Sequence, residues 1–404
     1  MNLLKKYGIL IGGFGFSYLG NWIYIVALNL YILNLTGSAL AVAMIYIIGP
    51  VARILTNFVA GSIIDRSNKR KIMIAMDIIR GMIILVIPFS DSIWLIYTIL
   101  FIANIAGSFF GPSSTFYITK YVNQEERKRF NALLGTFNSG AFLLGPALAG
   151  VLIMTVGISM TIWVNSLTFF ACALAIWLLP NLEANVHYKK EPIKVKTLQK
   201  DFKLVWHFIK DSGPFFKIYV IYQIMILLVY SLDSQEVTFI KQDLGLSDSL
   251  YGYLISIAGL GSIVGGITAA SLTKKISLKN YIAVGSLLTT VFYTAFYASF
   301  NLVTAALAFI ALGFFMAFSN AGYGTFYQNN VPTDLMGRFG SVSSIFQSVV
   351  QIIFTFILGS LAGIFTLKIT AISMGVISIF LSLVLYSIIF SKKSNLVLQE
   401  TGGK

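Results

Sequence analysis

Asp233 and Glu236 stand three residues apart in a long apolar run. On a helix that spacing puts both on one face. Two carboxylates so close repel, and the repulsion is relieved when one of them holds a proton. Such a pair can take up and release a proton if it is shielded from bulk water; in an open vestibule both acids would stay ionised. Gln223 and Tyr230 continue the same stripe. Asp77 and Arg80 share the spacing but have opposite signs, so they can close on each other as an internal ion pair. Arg53 is a further charge inside an apolar run. Uncharged polar residues form other stripes: Ser17, Asn21 and Tyr24; Asn104; Asn320; and Ser344, Gln347 and Gln351. Aromatics such as Phe14, Tyr24, Tyr230 and Phe326 accompany them; a cavity lined by such a mixture would suit a large apolar or amphipathic solute better than a sugar or an ion.

The elements that must carry these residues are set by composition. Hydrophobic residues make up 57% of the 404 and charged residues only 11%, against about 25% charged in a soluble domain. The mean hydropathy is +0.83. A helix needs about 20 apolar residues to cross a bilayer, and twelve runs qualify: 8–33, 38–61, 71–89, 93–118, 130–156, 160–179, 215–240, 250–271, 280–298, 302–328, 337–363 and 369–391. The absence of two-residue alternation argues against a membrane β-barrel. The chain is expected to be an all-α membrane protein.

The net charge of +14 does not imply a nucleic-acid partner, because the basic residues sit in short loops between spans. Loops on one side hold only Lys241 and Lys368. Arg53, Arg80 and Lys217 lie in or at the edges of spans, and the rest of the 29 Lys and Arg fall on the other side. Positive loops stay in the cytoplasm, which puts both termini there. Lipid is then the surface these cations meet. A single cysteine, Cys172, and two histidines, His187 and His207, both in the central polar stretch, give no metal site. No Gly-x-x-x-x-Gly-Lys-[Ser/Thr] loop is present, so no nucleotide cofactor or ATP hydrolysis is expected. The amino-terminal run is too long for a signal peptide and has no small-residue cleavage site.

Residues 181–214 are the only long polar interruption and divide the spans six and six: 1–180, a linker, and 215–404. Within the linker, residues 196–210 place Leu198, Phe202, Val205, Phe208 and Ile209 at helical spacing between lysines, which predicts a helix lying on the inner membrane surface. The halves look like a repeat. Thr115-Phe116-Tyr117 recurs as Thr325-Phe326-Tyr327, each followed by a polar loop and a Phe, Phe130 or Phe339, at an offset of about 210 residues.

Between the second and third spans runs Gly61-Ser-Ile-Ile-Asp65-Arg66-Ser-Asn-Lys-Arg70-Lys71. It resembles the Gly-x-x-x-Asp-Arg-x-x-basic-basic signature of the major facilitator superfamily of transporters. The resemblance implies two six-helix bundles related by a pseudo-two-fold axis. It further implies a conformational latch in which Gly61, Asp65, Arg66 and Arg70 face the start of the eleventh span at Gly337-Arg338. Gly140, Gly145, Pro146 and Gly150 in the fifth span resemble the superfamily's antiporter motif, with Ala149 replacing one glycine of its terminal pair. In the superfamily the first, fourth, seventh and tenth helices line a central cavity, and the polar stripes above fall on those helices and on the eleventh. The glycines of the eighth span, Gly259, Gly261, Gly265 and Gly266, would form a contact surface toward the other half. Asp233-Ser234-Gln235-Glu236, Leu246-Ser247-Asp248 and Tyr251-Gly252 are similar to the bacterial branch holding macrolide-efflux proteins and the enterobactin exporter. The implied activity is export of a hydrophobic or amphipathic small molecule by proton antiport, from a monomer in the plasma membrane. A lysophospholipid or nutrient importer of the same fold and a non-transporting receptor or scaffold are the alternatives.

Overall fold

The computed structural model describes residues 3–65, 67–183, 205–210, 212–273, 275–332, 335–391, Ser394 and Leu398. Among them there is helix and no strand. Eleven helices are long and apolar enough to cross a membrane: α1 Leu3–Thr36, α2 Ala39–Asp65, α3 Lys69–Ile84, α4 Ile93–Tyr121, α5 Arg127–Leu178, α6 Gly213–Asp233, α7 Asp248–Leu272, α8 Leu278–Ala298, α9 Leu302–Asn330, α10 Met336–Ile364 and α11 Leu367–Ile389. Helix is the form in which an apolar segment satisfies its own backbone polar groups without water. Side chains in the loops close the ends. Asn68, Ser277 and Thr366 each accept from the backbone nitrogen three residues on, and Asn301 forms a reciprocal box with Thr304.

The fifth and sixth predicted spans form one element, α5, bent at Gly157. Its φ of 86° and ψ of 168° fall in a region open essentially to glycine alone. The two arms fold back antiparallel. A Cβ on Gly13 of α1 would meet Ala175 and Cys172, and one on Gly15 would meet Phe137; farther along, Gly20 faces Thr168 and Asn165 and Gly145 faces Trp22. Residues near 13–15 therefore touch the far ends of both arms, and residues 20–22 touch positions closer to the bend.

The chain divides into two compact units, Met1–Ile193 with Ser247–Ser256, and Lys194–Leu246 with Ile257–Lys404. In the first, α1 packs along α5, and α3 packs on α4 and α5. In the second, α6 packs on α10 and α11, and α8 on α9 and α11. Counting α5 as two spans, the pairing of third with fourth recurs as ninth with tenth, the internal repeat expected from the sequence.

Two expectations are corrected. The seventh span does not run to residue 240. α6 ends at Asp233, a turn holds Ser234 and Gln235, a short helix covers Glu236–Thr238, and a wide turn covers Phe239–Asp243. Ser231 and Ser234 hydroxyls donate to Leu228 O and Ser231 O at 2.6 and 2.7 Å, and such side-chain bonds compete with helical ones. In the eighth span, Gly261 and Gly265 lie against the backbone of Ile310 and Phe314, within their own unit. Their lack of side chains lets α7 and α9 approach closely, so these two of the four glycines serve their own unit, while a Cβ on Gly266 would meet nothing within 4 Å.

Of the predicted linker helix, residues 205–210 are described and helical; 184–204 lie outside the described residues. Val205 is buried and Trp206 exposed, with Lys210 Nζ 5.9 Å from the Trp206 ring. Phe208 rests on Phe215 and Phe339.

Candidate functional site

Asp233 closes α6 and Glu236 opens the short helix beyond the turn, so the acids flank a helix break. Tyr293 of α8, only 1% exposed, reaches both. Its hydroxyl contacts Asp233 Oδ1 and lies 2.5 Å from Glu236 Oε1. Tyr297, one turn on, donates to Leu232 O at 2.5 Å and so fixes the last turn of α6 against α8. Phe296 stacks on Phe309 at 3.9 Å between ring centres and closes the apolar side. Ser234 and Gln235 are fully buried. Sequence reasoning found the acids and missed Tyr293. The available signal was Tyr293 and Tyr297 one helical turn apart.

Gln223 is brought together with two residues of other helices. Its Nε2 donates to the Tyr323 hydroxyl at 2.6 Å, and its Oε1 accepts from Gln347 Nε2 at 3.2 Å. Tyr222 lies flat on Tyr323, 4.0 Å between centres and 2° between planes, and its hydroxyl reaches Ser319 at 3.2 Å and Asn320 Oδ1 at 3.4 Å. Asn320, Gln223 and Gln347 thus share one network in the second unit, together with Tyr222, Tyr323 and Ser319, which the sequence did not single out. Gln351 and Tyr230 are half-buried and lie outside these bonds.

In the first unit Ser17 is buried, Asn21 is exposed, and the Tyr24 hydroxyl is buried with no hydrogen-bond partner among the described residues. Asn104 instead lines a cavity with Arg53. Asp77 and Arg80 pair as expected. Asp77 is fully buried, and the Arg80 guanidinium lies over the rings of Phe110 at 4.8 Å and Phe169 at 4.2 Å.

Gly61 and Asp65 lie in the last turns of α2, and Gly337 and Arg338 in the first turn of α10. Arg66 lies outside the described residues. The basic cluster after them has a structural job inside the first unit. Arg70 Nε donates to Ile176 O at 3.1 Å, and its guanidinium also meets Trp177 O, satisfying carbonyls at the end of α5. Lys69 Nζ lies 3.2 Å from Glu183 Oε1, both almost fully buried, and Asn68 donates to Asn181 at 2.7 Å. Of the fifth-span motif, Gly145 lets Trp22 pack against α5. Gly140 lines a shallow apolar recess with Gly12 and Phe137. Pro146 and Gly150 lie against residues 249–252 of the same compact unit.

Residues 10–355 match the sequence profile of the Major Facilitator Superfamily. The chain belongs to that superfamily. A superfamily relative, the uncharacterised MFS-type transporter YfiS of Bacillus subtilis, is 24% identical over 339 residues, covering 81% of this chain and 80% of the relative. Macrolide efflux protein A of Streptococcus pyogenes is 24% identical over 156 residues, 37% of this chain and 38% of its own length. Among solved superfamily folds, the nucleoside transporter NupG superposes with a TM-score of 0.76 at 13% identity, covering 97% of this chain and all of that one. These comparisons identify a multi-pass membrane transporter with the two-bundle superfamily fold.

Proposed function

We propose that this superfamily member exports a hydrophobic or amphipathic small molecule in exchange for protons by alternating access, both termini lying in the cytoplasm. The observation that carries the reading is the Asp233–Tyr293–Glu236 cluster. A tyrosine hydroxyl has one hydrogen and can donate it to one oxygen only. Two carboxylate oxygens at bonding distance from that hydroxyl need a second hydrogen, which one of the acids must hold. The cluster therefore has a filled and an empty state differing by one proton, in a place where charge is costly. Coupling that proton to transport draws on about 4 kcal/mol at a membrane potential near 180 mV. The sequence likeness to macrolide efflux protein A supports the outward direction and the amphipathic solute.

The test is uptake of a fluorescently labelled macrolide into inverted vesicles. Uptake should rise when the lumen is acidified and collapse when a protonophore is added. Uptake indifferent to the protonophore would remove the antiport reading.

A further inference from the structure

Arg53 stands in an apolar span, and a cation there needs an explanation. It is exposed, and among the described residues its guanidinium has neither a hydrogen-bond nor an ion-pair partner. It lines a cavity of about 300 Å³ between α2 and α4, with Gly49, Asn104, Gly107, Ser108 and Pro112. Glycine keeps that space open, since a Cβ on Gly49 would come within 3.1 Å of Asn104 Oδ1. Arg80 reaches the edge of this cavity: its Nη1 lies 4.0 Å from where a Cβ on Gly107 would stand. Arg80 is already neutralised by Asp77, so that pair has no anion to offer Arg53.

The polar groups beside Arg53 are turned to accept. The Ser108 hydroxyl spends its only hydrogen on Asn104 O at 3.0 Å, and Asn104 Nδ2 is turned back to Leu100 O at 2.8 Å. Ser108 Oγ and Asn104 Oδ1 keep free lone pairs. The cavity thus combines a forked cation, which matches carboxylate and phosphate geometry, with acceptors for a hydroxyl or N–H next to the anion.

We propose that this cavity is a subsite for the anionic group of an amphipathic solute, a carboxylate or phosphate flanked by a hydroxyl or N–H. Arg53 binds the anion and the oxygens of Ser108 and Asn104 bind the neighbouring donor. The inference rests on the transporter reading and deepens it: among amphipathic solutes, those that carry an anionic group gain a specific contact at Arg53.

Equilibrium binding of dansyl-serine and its uncharged amide, dansyl-serinamide, to the purified protein in phosphatidylcholine nanodiscs tests it. The wild type should bind the acid about tenfold more tightly than the amide, the scale of a hydrogen bond to a charged group. Arg53→Gln should erase the preference and Arg53→Lys keep part of it. Gly49→Val, which fills the cavity and leaves Arg53 in place, should weaken the acid by a similar factor and guards against a misfolded Arg53 variant. Equal binding of acid and amide by the wild type, binding of neither, or a preference that survives Arg53→Gln would overturn the proposal. Adding phosphatidylglycerol separates the two sources of anion: an unchanged affinity keeps the solute, and displacement of the acid reassigns the site to a lipid headgroup and overturns it. No gradient is present, so failure of proton coupling leaves this result standing, and the reverse holds.

Discussion

Asp77–Arg80 and Asp233–Glu236 share one spacing and behave in opposite ways. The first pair sits within a continuous helix, α3, and is closed: opposite charges meet each other, and aromatic rings cover the guanidinium. The second sits at the end of a helix, has like charges, and reaches a third group, Tyr293, on another helix. A pair of opposite charges is complete without a proton from outside. A pair of like charges is not, and the structure supplies a hydroxyl where the missing hydrogen would be shared. The difference shows that three-residue spacing alone says little about what two side chains do; sign and helix continuity decide whether they close on each other or reach a third group.

The largest effect that would sharpen this contrast is on coupling. Asp233→Asn should reduce proton-driven uptake at least a hundredfold in inverted vesicles, Glu236→Gln less, with melting temperatures near wild type. Wild-type uptake in both variants would remove the acid pair from the mechanism. Tyr293→Phe comes next, taking away the shared hydroxyl while both acids remain. Uptake should fall about tenfold, the worth of a charge-assisted hydrogen bond, and its pH optimum should move.

The first pair should answer in stability. Asp77→Asn leaves the largely covered Arg80 uncompensated; breaking a fully buried pair typically costs about 3–5 kcal/mol, and the loss here should approach the lower end. Asp77→Asn with Arg80→Met should recover most of the loss. A stable Asp77→Asn protein that fails only in uptake would break the comparison by giving this pair a role in transport.

The smallest effect is expected at a pair on the protein surface. Lys6 Nζ and the Tyr7 hydroxyl both reach Glu126 Oε2, at 2.6 and 2.7 Å. The hydrogen bond from Lys6, then that from Tyr7, holds the Glu126 carboxyl below its ordinary value. A carboxyl that binds its proton less tightly in the folded state adds stability above its unfolded value and loses it as pH falls through the lowered one. Hydrogen exchange at residues 3–10 should stay flat at neutral pH and rise only below the ordinary carboxylate range. Glu126→Gln should abolish that pH step.

Much of this was legible in the sequence because membrane crossing imposes a length and a composition on every span. The acids, the Asp77–Arg80 pair and the repeat could all be read that way. The end of α6 could not, because residues 234–235 are Ser and Gln, with no Pro or Gly to mark a break; the break becomes visible only through the bonds of Ser231 and Ser234. Tyr293 was hidden for a different reason. A tyrosine in an aromatic-rich span looks like any packing residue until its hydroxyl is placed. The motif pointed to a latch role for Arg70 but could not show its bonds to α5, which depend on a contact far away in sequence. Arg53 was visible as a charge, but its cavity arises from glycines on two helices, which no linear pattern joins.

Gly157 has a consequence for how the protein is made. Two crossings joined through one residue, with no hydrophilic stretch between them, give the insertion machinery no place to pause. Both arms of α5 should therefore enter the bilayer together during synthesis. A set of truncations ending between residues 150 and 178, each carrying a topology reporter, should switch sidedness only once the second arm is complete. Replacing Gly157 would then act chiefly on the yield of inserted protein, before the finished transporter exists.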